Sequence, residues 1–155
     1  MRKSHLFLYV FLVMLYNFFP PACFALGTYR LNDTGTITGS PVAMKWKHFS
    51  KRITRDNEVQ GVTTVFVNMN VLAWIGKNAN IYLSLPAQSI GMVTINWTTK
   101  GTLLPGTLIA GTRTLIYSGT IQSSYLNDTL TLSILADGTK LTSMQNFEFH
   151  FEIDV

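Results

Sequence analysis

A chain of 155 residues has room for one domain core and not for two. Its 47% hydrophobic and 13% charged residues are the reverse of the balance that keeps a chain disordered. The formal charge of +4 falls to +2 (ten basic against eight acidic residues) once Arg2 and Lys3 are assigned to an export signal, which is too little for a general nucleic-acid footprint.

The first 25 residues read as that signal. Arg2 and Lys3 form the charged start, and Leu6 to Phe19 is an apolar run of 14 residues. That length suits a signal core and falls short of the about 20 residues a bilayer span needs. Pro20 and Pro21 end any helix. Cys23-Phe24-Ala25 places small residues at the two positions a signal peptidase reads, so cleavage is expected after Ala25. A retained anchor is the alternative. Lipid attachment at Cys23 is disfavoured by Pro20, which stands where such sites carry leucine. The mature chain is then cysteine-free although it passes through an oxidising compartment. Nineteen threonines follow residue 25 and supply a neutral polar surface suited to strands.

From residue 26 onward the pattern has period two, the signature of half-buried strands. Residues 26–40 form an extended arm in which Tyr29, Leu31, Gly35 and Ile37 share one parity. Val42, Met44 and Trp46 follow. Val65, Val67, Met69, Val71, Ala73 and Ile75 make a long run, and Ile81, Leu83 and Leu85 end at Pro86. Val93, Ile95 and Trp97 alternate with Thr94, Asn96 and Thr98. Leu115 and Tyr117 lead to Ile121, and Leu130, Leu132 and Ile134 alternate with Thr129, Thr131 and Ser133. Phe147, Phe149, Phe151, Ile153 and Val155 form the last and most regular run. Turn signals separate these runs at Gly76-Lys77-Asn78, Lys100-Gly101, Pro105-Gly106, Asn127-Asp128 and Asp137-Gly138. The expected fold is all-β: one β-sandwich of about seven strands over residues 41–155, preceded by the arm.

The two ends complement each other. An apolar final strand needs a neighbour on each edge, and the sequence offers no later strand. The arm is strand-capable and either completes its own sandwich or adds to the edge of another copy by β-augmentation.

On these features the chain resembles subunits of enterobacterial fimbriae built by the chaperone–usher route. The likeness lies in the cleavable signal, the arm, the threonine-rich cysteine-free body and the alternating last strand. Gly35-Thr36-Ile37-Thr38 followed by Met44-Lys45-Trp46-Lys47 is similar to the start of subunits of enterotoxigenic adhesive fimbriae. Asp154 departs from the aromatic that many members carry in the penultimate position. The resemblance implies an immunoglobulin-like sandwich that is incomplete and is completed by a donor strand. A periplasmic chaperone would lend that strand first, and another fimbrial subunit would replace it at the outer-membrane usher. Tyr29, Leu31, Gly35 and Ile37 would be the donor residues, and Phe147, Phe149, Phe151, Ile153 and Val155 would line the acceptor groove. The implied destination is a fimbrium on the cell surface, reached through the periplasm, with a host glycan as a further partner.

Other constellations are weaker. Glu148, His150, Glu152 and Asp154 form one stripe of the last strand, spaced about 6.6 Å apart, and read as a solvated outer face with no metal. Lys45, Lys47, Lys51, Arg52 and Arg55 surround Trp46, His48 and Phe49, a pattern able to hold an acidic glycan. A self-contained secreted sandwich binding acidic glycans is therefore the alternative function. Trp74 and Trp97 read as core. No nucleophile elbow, phosphate loop or zinc-ligand spacing is present, so neither catalysis nor a cofactor is expected.

Overall fold

The computed structural model describes residues 27–39, 41–47, 57–89, 91–141 and 147–155. The expected export signal, and Lys51, Arg52 and Arg55 of the basic cluster, lie outside the described residues. The described chain is all-β: β1 (Thr28–Arg30), β2 (Ile37–Thr38), β3 (Lys45–Trp46), β4 (Glu58–Asn70), β5 (Asn78–Leu85), β6 (Val93–Thr99), β7 (Gly106–Ile109), β8 (Thr112–Thr120), β9 (Tyr125–Asp137) and β10 (His150–Asp154). Two antiparallel sheets result. The smaller runs β1-β10-β5-β8, and the larger runs β2-β4-β9-β6-β7, with β3 also paired to β4.

Alternating side chains from both sheets meet in one core. Val65, Val67 and Met69 of β4, Leu130, Leu132 and Ile134 of β9, and Val93, Ile95 and Trp97 of β6 face Ile81, Leu83, Phe151 and Ile153 of the smaller sheet. The Trp97 indole N–H is satisfied by the Leu104 carbonyl at 2.8 Å. Most edges are short, which blunts unwanted pairing. The longest edge strand, β8, is covered where Leu104 N–H donates to the Ile116 carbonyl and the Thr114 hydroxyl to that of Thr107. Gly111, at φ +89°, makes the turn from β7 into β8 in a conformation other residues avoid.

Several expected elements are redrawn. The run over 65–75 begins earlier, at Glu58, and stops at Asn70, whose side-chain oxygen accepts Leu72 N–H and starts a 3₁₀ turn over Leu72–Trp74. Ala73 and Ile75 are therefore exposed and not strand residues. In β8 the buried residue is Ile116, not Leu115 or Tyr117, because a bulge opposite Ile81 and Tyr82 inserts one residue and reverses the parity. Asn127-Asp128 is not a turn; both lie within β9.

The last run is shortened. Phe147 and Phe149 are half-buried beside the core but precede the ladder, which starts with His150 opposite Ser84. Continuing it would bring the chain alongside Pro86, which has no N–H to offer. The edge left open by sequence order is closed by the same chain's arm: Thr28, Tyr29 and Arg30 pair with Asp154, Ile153 and Glu152. The arm then crosses to the larger sheet, where Asn32 bridges Asn70 and Ile37 pairs with Phe66. The described part of the arm thus contributes a strand to each sheet.

Candidate functional site

The paired chain ends form the most elaborately bonded region of the surface. Beyond the three ladder pairs, Leu31 N–H donates to the Phe151 carbonyl at 2.8 Å, and Gly27 and Val155 exchange backbone hydrogen bonds at 3.3 Å each. Among the described residues of the arm, one side chain enters the core. Leu31 is 3% exposed, while Tyr29 is 54% exposed and tilts against Trp74 at 6.2 Å between ring centroids. The other two residues of the expected donor set are elsewhere. Gly35 lies over Asn68 on the larger sheet, and Ile37 faces solvent beside Phe66. Of the expected groove residues, Phe151 and Ile153 are fully buried, and Val155 is half-buried against the core.

The outer side of this seam is held by a residue that alternation did not single out. Arg113, on β8, reaches across β5 and donates to both carboxylate oxygens of Asp154, at 3.1 and 3.0 Å. It also donates to Glu152 at 3.4 Å, and its guanidinium lies 4.2 Å from the Tyr82 ring centroid. Thr28 Oγ1 donates to Asp154 at 2.7 Å, which joins the arm to the same carboxylate. His150 Nε2 sits 2.9 Å from Glu152 Oε1. Partial burial pushes the Asp154 carboxyl up, but the hydrogen bonds from Arg113 and Thr28, with the Arg113 charge, bring it below the usual carboxylate range. The same Asp154 hydrogen bond raises Arg113. The acidic stripe is thus engaged by a cation two strands away. Among the described residues no three His, Cys, Asp or Glu side chains group to hold a metal ion.

The basic cluster is only partly described. Lys45 and Lys47 lie along the edge of β4, and the Lys47 ammonium is paired with Glu58 at 2.7 Å. Trp46 packs over Gly138 and Val59 yet remains 46% exposed.

A buried acid also escaped the strand pattern. Asp128 occupies a core-facing position of β9 between Leu126 and Leu130, and its carboxylate accepts N–H groups from Lys100, Leu103 and Thr129 at 3.3, 2.8 and 2.6 Å. It fastens the loop after β6 to the sheet. A carboxylate on the apolar parity of a strand was the available signal.

No family model matches the chain, and neither a curated protein nor a solved structure matches it.

Proposed function

We propose that the protein is a fimbrial structural or adhesive subunit, exported to the periplasm and assembled into a surface fibre by exchange of its edge strand. The observation that carries this reading is the seam at β10. One side of that strand is a five-residue ladder with β5, and the other is served by residues 27–31 from the far end of the chain. Such a strand is replaceable. A strand of alternating apolar residues from another chain can offer the same backbone bonds and seat a side chain where Leu31 lies. In this reading the domain is an immunoglobulin-like sandwich whose own final strand is missing. A periplasmic chaperone fills the β10 edge first, and the arm of another fimbrial subunit takes it at the outer-membrane usher. The cis pairing of arm and β10 is then the state of a subunit that has no partner.

The cis pairing also favours a second reading, a self-contained secreted sandwich whose Lys45 and Lys47 belong to an acidic-glycan patch. Deleting residues 26–34 separates the two. In a subunit the shortened chain still co-purifies with the chaperone, which supplies its own strand, but fails to extend a polymer. In a self-contained domain the deletion unfolds the protein, and the intact chain is a monomer with a cooperative melt that needs no chaperone.

A further inference from the structure

We propose that the outer face of the larger sheet carries a binding site for a neutral pyranoside, centred on Phe66. A trough of about 500 Å³ crosses β4 and β9 there, between the turn after Asp33 and the loop after β6. That volume lies within the range of small-ligand sites. Its floor is Phe66, Asn68, Asn127 and Thr129, arranged by the ladder register that sets Phe66 opposite Thr129 and Asn68 opposite Asn127. Phe66 points away from the core and is 55% exposed, an aromatic surface flanked on the trough side by the amides of Asn68 and Asn127 and the hydroxyl of Thr129. The walls come close because they are glycine. A Cβ on Gly35 would stand 2.9 Å from Asn68 Cγ, and one on Gly101 2.9 Å from the Asp128 carboxylate. Thr36 holds the first wall, accepting Asn68 N–H at 3.1 Å while its own N–H donates to Asp33 at 2.8 Å.

The chemistry of these groups selects the ligand class. The side-chain amides of Asn68 and Asn127 make no hydrogen bond to a described residue, and each offers a donor and an acceptor. Paired hydroxyls on a sugar ring require both functions, and the ring's C–H face suits an aromatic side chain. A lipid or apolar peptide would strand the amides. An anionic glycan would want several cations, and the lining has one, Lys100 at the rim. Among the described lining residues the one carboxylate, Asp128, is 9% exposed and already accepts three backbone N–H groups. The site lies on the opposite sheet from β10 and is separate from Lys45 and Lys47. It does not rest on the fimbrial reading.

The test uses the exported chain purified from the periplasm, as a monomer or in complex with its chaperone. Methyl galactoside, methyl mannoside, methyl glucoside and N-acetylglucosamine are the neutral probes, and sialyllactose is the charged one. Binding is followed by saturation transfer to the sugar and by the side-chain amide signals of Asn68 and Asn127. At least one neutral probe should bind with a millimolar dissociation constant and shift both amides. Phe66→Ala should weaken it about tenfold or more at an unchanged melting midpoint, and Ile109→Ala, elsewhere on the same sheet, should leave it unchanged. Three results would overturn the proposal: no neutral probe moves the amides, sialyllactose alone binds, or Phe66→Ala binds as tightly as the parent. A failure of strand exchange together with sugar binding would sink the fimbrial reading and leave this site standing.

Discussion

The outer faces of the two sheets are made of opposite materials. On the smaller sheet Arg113, Glu152, Asp154, Thr28 and Tyr82 are tied to one another across four strands. On the larger sheet the rows run through Thr64, Thr131 and Thr98, or Val62, Ser133 and Asn96, and the charged groups sit at the ends. The charged face joins segments that are remote in sequence, including an arm that pairs with β10 over residues 27–31. The neutral face needs no such fastening, because its longest ladder, β4 with β9, runs for thirteen residue pairs. Charged cross-strand side chains are concentrated where the arm joins β10 and not along the longest ladder. The comparison separates a seam that can open from a surface that stays put.

The comparison breaks most visibly in the core beneath the seam. Phe151→Asp places an unpaired carboxylate at a fully buried position, and a loss of several kcal/mol by desolvation should appear as failure to accumulate a folded chain. Phe149→Asp should cost less, because Phe149 lies outside the ladder and is half-buried. Expression level and denaturant midpoint rank the two. Leu31→Ala comes next. With the arm in cis it removes the one core side chain among the arm's described residues and should lower stability by about 2 to 3 kcal/mol, read from urea unfolding.

The charged face itself is worth less. Arg113→Gln should cost under about 1 kcal/mol, the range of exposed ion pairs. Its pH signature is more telling than its size. The folded Asp154 carboxyl sits below its unfolded value, so the stability it adds is complete above the unfolded pKa and drains away as pH falls through the folded one. Melting midpoints taken from neutral pH to about 2 should therefore fall less steeply for Arg113→Gln than for the parent. Glu148→Gln, exposed and outside this network, should change stability by less than about 0.5 kcal/mol.

The same contrast explains what the sequence discloses. β6, and β9 beyond Asp128, are legible because each buries one face against the core, so their apolar parity survives there. β8 is not, since one inserted residue moves Ile116 into the core and displaces its neighbours from it. The start of the last ladder is set by Pro86, just beyond β5, which alternation within the run cannot report. Arg113 is illegible for a related reason: its partners lie 39 and 41 residues away, and only the pairing of β5 with both β8 and β10 brings them together. The arm's strand character is legible from its parity, but its seat is not, because an alternating segment fits its own edge or another's equally well. The trough at Phe66 is hidden in the same way, assembled from a turn, two strands and a loop that share no local pattern.

The central claim is that β10 is completed by a strand that can leave. The direct measurement is amide hydrogen exchange at Ile153 and Val155 in the intact chain, with and without an excess of a synthetic peptide spanning residues 26–38 that carries an isotope label. If the seam is exchangeable, these amides exchange through local opening, far faster than those of Leu130 and Leu132 in the β4–β9 ladder. The labelled peptide should then become bound as the chain's own arm is released. If Ile153 and Val155 exchange only with global unfolding, at the rate of the β9 amides, and no peptide is taken up, the arm is a permanent strand and the account is contradicted.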